Sequence, residues 1–429
     1  MRAALSILFA GAALALAGCG ADDLTAASAA DAVPANVVGF VEFDADLESG
    51  QWERVQELLN RFPSRPQLVE ELNKELEADE LTYEEDVRPA LGDTVALVWR
   101  SPRMEDVVFL TQPDDEEKLR ELVRSAEESE GTTLVVGEVG DWTAVASDQA
   151  AIDALADGET TLADDEAYGG ALDELPDERL ATFWVRGEAL TDQFALPGLE
   201  VDWMSGALEA RENAAALMAV ASGRGAAAGE TYASELVGEA PADALVFASF
   251  ASDMPQEQRE RLEPFEAMFG LPVSPLLAEL EGEAAMWVRV VDRALEFTLV
   301  AGVRDEQRAQ AAAERLLAQL PLELNVEIAD GRLVATTAVN VEAALRADAP
   351  LGESEDFRTA KDAAGMPDET GGFLYVNVAD AVPLLSLAGL AGAPVPREVT
   401  QNLRPLRSVV AWSETDGDRS LSHIFVDIP

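Results

Sequence analysis

The chain has 429 residues, enough for two or three ordinary domains, and its 48% hydrophobic content is that of a globular protein with a real core. Charge is the outlier: 82 acidic side chains against 30 basic ones leave a formal net charge of −52, and the lysines are only Lys74, Lys118 and Lys361. Such a surface repels nucleic acid and anionic headgroups, which excludes nucleic-acid binding, and it calls for cations to screen its self-repulsion. A saline habitat and a GC-rich coding bias would both produce this composition.

The chain opens with Arg2 and an apolar run, Ala3–Ala17, broken only by Ser6 and Gly11. A positive start before an apolar stretch is the pattern of an export signal, and the run is shorter than the roughly 20 residues a spanning helix needs. It ends in Leu16-Ala17-Gly18-Cys19, which resembles the lipobox of bacterial lipoproteins. The resemblance implies a signal peptide over residues 1–18, diacylglycerol on the Cys19 thiol and cleavage just ahead of it. Cys19 is the only cysteine, so no internal disulfide forms. Residues 19–32 are small and polar and are expected to be a flexible tether from membrane to fold. More than one acyl chain holds a protein stably, so no basic patch is required.

Pro34–Phe43 reads as the opening strand, and Trp52, Val55, Leu59 and Phe62 mark an amphipathic helix after it. The charged stretch Gln67–Glu85 reads as a further helix. Strands are expected at Asp93–Trp99 and Val107–Leu110, then a helix with an acidic start at Asp114 and an apolar face of Leu119, Leu122, Val123 and Ala126. Thr132–Trp142 reads as a strand and tight turn leading into Thr143–Ser147, and Leu180–Val185 as another strand. Ala214–Ser222 and Thr231–Val237 are expected to pair as a hairpin.

The same succession returns about 190 residues later. Thr132–Trp142 aligns without gaps on Leu322–Arg332, Asp93–Trp99 on Glu283–Arg289, and the helical face on Ala309, Ala312, Ala313 and Leu316. Leu180–Val185 corresponds to Phe373–Val378. Pro34–Phe43 matches Pro241–Phe250 at an offset of 207, followed by a helix expected at Leu262, Phe265 and Phe269; Ser408–Ser413 and Leu421–Ile428 close the second copy. The expectation is an α+β fold of two tandem copies, 33–238 and 239–429, each mainly antiparallel sheet with helices packed on one face.

Val33-Pro34-Ala35-Asn36-Val37-Val38-Gly39-Phe40-Val41 and the later Gly371-Gly372-Phe373-Leu374-Tyr375-Val376-Asn377-Val378-Ala379-Asp380 resemble recurrent segments of the bacterial DUF3352 family. The resemblance spans essentially the whole mature chain. It implies placement and architecture, since that family brings no established activity, cofactor or catalytic residue.

A search for chemistry finds little. The only histidine, His423, lies in the terminal strand, where alternation of Ile424, Val426 and Ile428 places it on the opposite, wetter face. One histidine and a lipidated cysteine exclude a structural zinc site, and no catalytic, cofactor or metal residue is assigned. Asp44, Asp46, Glu48 and Gly50 alternate like the start of an EF-hand loop, but Val55 stands where the closing glutamate belongs. Asp114-Asp115-Glu116-Glu117 reads as a helix cap, and Gly223–Gly229 as a hairpin turn. The uncharged run Val382–Val395 reads as buried helix, or as the lip of an apolar cavity.

Three roles follow. The first is a non-enzymatic, lipid-anchored envelope protein that binds a protein partner or serves as structure. The second is a carrier of a lipid or small apolar ligand, to be recognised by a pocket near Val382–Val395. The third is an acid-based or calcium-dependent hydrolase, to be recognised by a buried carboxylate pair in a cleft.

Overall fold

A computed structural model describes residues 28–158, 160–194, 201–223, 230–253, 256, 259, 272–319, 324–388 and 395–429. The segment expected to be a signal peptide, Cys19 and the helix expected at Leu262–Phe269 lie outside the described residues. The chain divides into two compact units, Met1–Ala226 and Ala227–Pro429.

In the first unit the strands are β1 (Gly39–Asp44), β2 (Thr94–Trp99), β3 (Val108–Thr111), β4 (Val135–Val139), β5 (Trp142–Ala146), β6 (Ala181–Arg186), β7 (Trp203–Arg211) and β8 (Ala214–Ser222). They lie in the order β8-β7-β6-β1-β2-β3-β5-β4, and every neighbouring pair is antiparallel. The helices are α1 (Gly50–Leu59), α2 (Arg65–Ala78), α3 (Glu116–Glu130), α4 (Gln149–Ala156), α5 (Glu166–Leu172) and α6 (Gly187–Phe194).

Local chemistry explains the helix starts. Asp115, not Asp114, caps α3 by accepting from the backbone N–H groups of Glu117 and Lys118, and Glu116 and Glu117 occupy the first turn, where the helix dipole favours acids. The apolar face of α3 is buried: Leu119, Leu122 and Val123 share a core with Val95, Leu97, Phe109 and Val145 of the sheet. The expected charged helix is α2, whose Leu72 and Leu76 join the same core.

Helices were expected on one sheet face; they cover both. On β1, Val41 packs with the α3 core, whereas the adjacent Phe40 points the other way, onto Tyr168 of α5. Tyr168 in turn meets Trp184 of β6 edge-on, ring centroids 5.6 Å apart. Near-continuous apolar strands such as Thr94–Trp99, buried at all six positions, are what a two-sided cover requires.

The second unit holds β10 (Val246–Ala251), β11 (Leu280–Val291), β12 (Ala294–Val303), β13 (Asn325–Ala329), β14 (Arg332–Thr336), β16 (Gly372–Asn377), β17 (Ser408–Asp416) and β18 (Arg419–Asp427) in the order β18-β17-β16-β10-β11-β12-β14-β13. This is the strand connectivity of the first unit, element for element. Its helices are α7 (Glu306–Leu317), α8 (Glu355–Ala364), α9 (Val378–Ala388) and α10 (Arg397–Leu403). Asp305 caps α7 through the Arg308 N–H, and Ala309 packs with Ala284, Ala301 and Leu333. On the opposite face Phe357 of α8 contacts Phe373 and Tyr375. Asp330 and Gly331, both at positive φ, make the tight turn between β13 and β14.

Two boundaries differ from expectation. Residues 28–32 are folded rather than tether: Ala29–Asp31 form a 3-10 turn with Ala29 and Ala30 buried, held by Glu42 of β1, which accepts from the Ala29 N–H (2.8 Å) and the Ser28 hydroxyl. Small alanines fill a tight space here, a role that composition does not distinguish from flexibility. The second difference concerns Thr231–Val237, which does not pair with β8. The partner of β8 is β7, and Tyr232–Ala233 (β9) pairs with Glu369–Thr370 (β15) inside the second unit. Gly223–Gly229 is therefore not a hairpin turn between paired strands, although 224–229 lie outside the described residues. The unit boundary falls at 226/227 rather than 238/239.

Among the described residues no helix is long and apolar enough to cross a membrane.

Candidate binding cleft

The connection from β16 to β17 builds a cleft. Asn377 caps α9, accepting from the Asp380 N–H (3.1 Å) and donating to the Asp380 carboxylate (2.9 Å). The Ala379 N–H donates to the Arg407 carbonyl at the entry to β17, which ties the start of the helix down. Pro396 then opens α10, where its fixed φ and missing N–H suit a helix start.

Ala379, Val382 and Pro383 recur on α9 at helical spacing and, with Val395, form an apolar wall. Facing them, α10 contributes Arg397, Thr400, Gln401 and Arg404, the i, i+3, i+4, i+7 stripe of one helix face. Together they line a cleft of about 760 Å³. Among the described residues no acidic one lines it. The Arg397 and Arg404 side chains are exposed and make no hydrogen bond or ion pair among the described residues. Some other guanidinium groups of the unit meet carboxylates: Arg308 at Glu279 (3.3 Å), Arg407 at Asp427 (3.4 Å) and Arg332 at Glu239.

The equivalent connection in the first unit, β6 to β7, spans residues 187–202, sixteen residues against the thirty of 378–407. The excess of fourteen is the length that α10 and its approach occupy, so the cleft wall is an addition to the shared connectivity. The cleft lies where the uncharged run Val382–Val395 pointed, although residues 389–394 of that run lie outside the described residues. Arg397 and Arg404 were not singled out in the sequence; the polar stripe immediately after Pro396 was the available signal.

Other charged groups are committed to structure. Asp44 is buried and accepts from the Ser49 hydroxyl and the Asp46 N–H (2.9 Å); burial, reinforced by Asp46 and Asp93, pushes its carboxyl up to about 7. Asp46 accepts from the Glu48 N–H, and Glu48 pairs with Arg88 at 2.9 Å. These carboxylates therefore hold the entry loop of α1, whose cap is Ser49, and among the described residues no group of three His, Cys, Asp or Glu side chains is placed to hold a metal. Glu42, raised by burial against the hydrogen bonds from Ala29 and Ser28, latches the segment ahead of β1. In the second unit Glu283 does the corresponding work, accepting from the Glu235 and Leu236 N–H groups and the Ser249 hydroxyl.

His423 does not face away from the packed side. It pairs across the hairpin with Trp412, the two rings stacked 4.5 Å apart, and shares its face with the buried Phe425, while Ile424 is the exposed neighbour. Alternation misled because both faces of β18 carry apolar residues, and the pattern alone does not say which one is covered. A second hollow of about 490 Å³ lies beside the β11–β12 turn, lined in part by Val291 and Val339, and Val339 is 85% exposed.

No protein-family model matches the chain, and no curated protein does. Among solved structures it is similar to three crystal forms of TP0453. Form I is 8% identical, covering 47% of this chain and 81% of that one, with a TM-score of 0.26. Form III is 8% identical over 73% and 95%, TM-score 0.22, and form IV 12% identical over 44% and 90%, TM-score 0.23.

Proposed function

We propose that this chain is an extracytoplasmic protein, anchored to a cell membrane through diacylglycerol on Cys19, that binds a small ligand in the α9–α10 cleft without transforming it. The observation that carries the reading is the cleft: about 760 Å³, walled by Ala379, Val382 and Pro383, at the segment singled out for an apolar cavity. Its size is within the range of small-molecule sites, roughly 300–1,000 Å³. The lipobox-like Leu16–Cys19 supports the anchor, and nine residues from Cys19 to Ser28 hold the fold within roughly 30 Å of the lipid. The matched strand order of the units supports two tandem copies of one ancestral unit, and the Val33–Val41 and Gly371–Asp380 segments support kinship with the DUF3352 family.

Native mass spectrometry of the detergent-extracted protein tests both parts. The expected mass is that of a chain starting at lipid-modified Cys19, with a small molecule retained by the wild type and lost in Thr400→Trp, which fills the cleft. An uncleaved, unmodified chain would overturn the anchor. A ligand held equally by Thr400→Trp would overturn the cleft. The exposed Val339, Val291 and Leu295 support a second reading, docking of an envelope protein partner at the β11–β12 turn.

A further inference from the structure

We propose that the ligand of this cleft is a single-chain anionic amphiphile, its acidic head held by Arg397 and Arg404 and its chain laid along Ala379, Val382, Pro383 and Val395. The inference rests on the reading of the α9–α10 cleft as a binding site and names what that site takes.

The first argument is charge. In a chain with a net charge of −52, the two guanidinium groups lining this cleft meet no carboxylate among the described residues, and they stand together on one wall of it. Unpaired guanidinium groups are strong donors to carboxylate or phosphate oxygens, which they bind with planar, charge-assisted hydrogen bonds. The surrounding acidic surface repels an anion at long range, so an anionic ligand is retained only by close contact with these two groups.

The second argument is the division of the walls. Arg397 and Arg404 stand seven residues apart, on one face of α10 and roughly 10 Å apart along its axis, a span that two long side chains close onto one head group. The facing stripe on α9 is apolar, with Pro383 exposed. A wholly apolar ligand would leave both guanidinium groups without a role. A small inorganic anion would leave the apolar wall without one. An amphiphile uses both.

The test is isothermal titration at neutral pH of the mature chain from Gly20, which lacks only the residue that takes the lipid and retains every described residue. The probes are decanoate, decanol and acetate. Decanoate is expected to bind roughly tenfold or more tightly than either decanol or acetate. The double variant Arg397→Gln/Arg404→Gln should lose the preference for decanoate while binding decanol as the wild type does. Both side chains are exposed and unpaired, so an unchanged melting midpoint should accompany that loss. Equal affinity for decanoate and decanol would overturn the head-group assignment and leave the cleft as an apolar site. Acetate binding as tightly as decanoate would overturn the amphiphile in favour of a plain anion site. Binding of none of the three would overturn the cleft reading itself.

Discussion

Arg289 and Glu296 face each other across the β11–β12 pair, with the Arg289 Nε 2.7 Å from the Glu296 carboxylate and both residues under a tenth exposed. The remaining guanidinium donors reach the carbonyls of Arg346 (2.9 Å) and Ala343 (2.8 Å), pinning the helical turn Val341–Ala344 to the sheet. In the first unit Arg100, just past β2, does the equivalent work with one bond to the Ala154 carbonyl in α4 (3.2 Å). Removing one member strands a buried charge. Arg289→Met should therefore cost the second unit about 3–5 kcal/mol, while Arg289→Met/Glu296→Leu should recover part of it. Urea unfolding midpoints at constant slope check this; a double variant less stable than Arg289→Met would count against it.

Asp44 makes stability depend on pH. Its carboxyl titrates at about 7 in the folded chain against an ordinary 3.8, so between those values the folded state holds the proton that the unfolded state has released. Folding is then favoured at the acid end, and this contribution is lost as pH rises from about 4 to about 7, on the order of 4 kcal/mol in total. Glu42, also raised by burial, adds in the same direction. Asp44→Asn should flatten the slope of stability against pH across that window, and an unchanged slope would remove Asp44 as its source.

Gly39 and Gly131 should respond differently to alanine. Gly39 pairs with Trp99 in the β1–β2 register, and a methyl there would overlap the buried indole. Gly131 ends α3 at φ +64° with open space around it, so alanine meets only backbone strain. Gly39→Ala should cost about 3 kcal/mol, at the upper end of overpacking, and Gly131→Ala about 1–2 kcal/mol. Equal losses in thermal unfolding would contradict the register.

Salt should stabilise the protein. With 82 acids against 30 bases, repulsion among exposed carboxylates outweighs the exposed ion pairs that salt also weakens. The melting midpoint is expected to rise from low to molar sodium chloride. A midpoint that stays level would make coding bias the sufficient account of the composition.

Periodicity and capping are local, and they were legible. The α3 and α7 faces and the Thr132–Ser147 turn stand where spacing placed them, because a helix or a tight turn is decided by residues within a few positions of one another. Which sheet face is covered is not local. Phe40 and Val41 both read as apolar strand residues, and only the arrival of α5 on one side and α3 on the other shows that both faces are buried. The same holds for His423, whose covered side is set by its stacking on Trp412, and for Tyr232, which bonds to a strand more than a hundred residues away rather than to the one before it.

By itself the sequence determined the α+β class and the recurrence of elements near an offset of 190, both carried by short-range pattern and composition. The tertiary structure decided the strand order, the capture of residues 28–32 by Glu42, and the meeting of an apolar stripe on α9 with an arginine-bearing stripe on α10. Those depend on contacts between distant segments, whose energies come from burial and pairing that no local window contains.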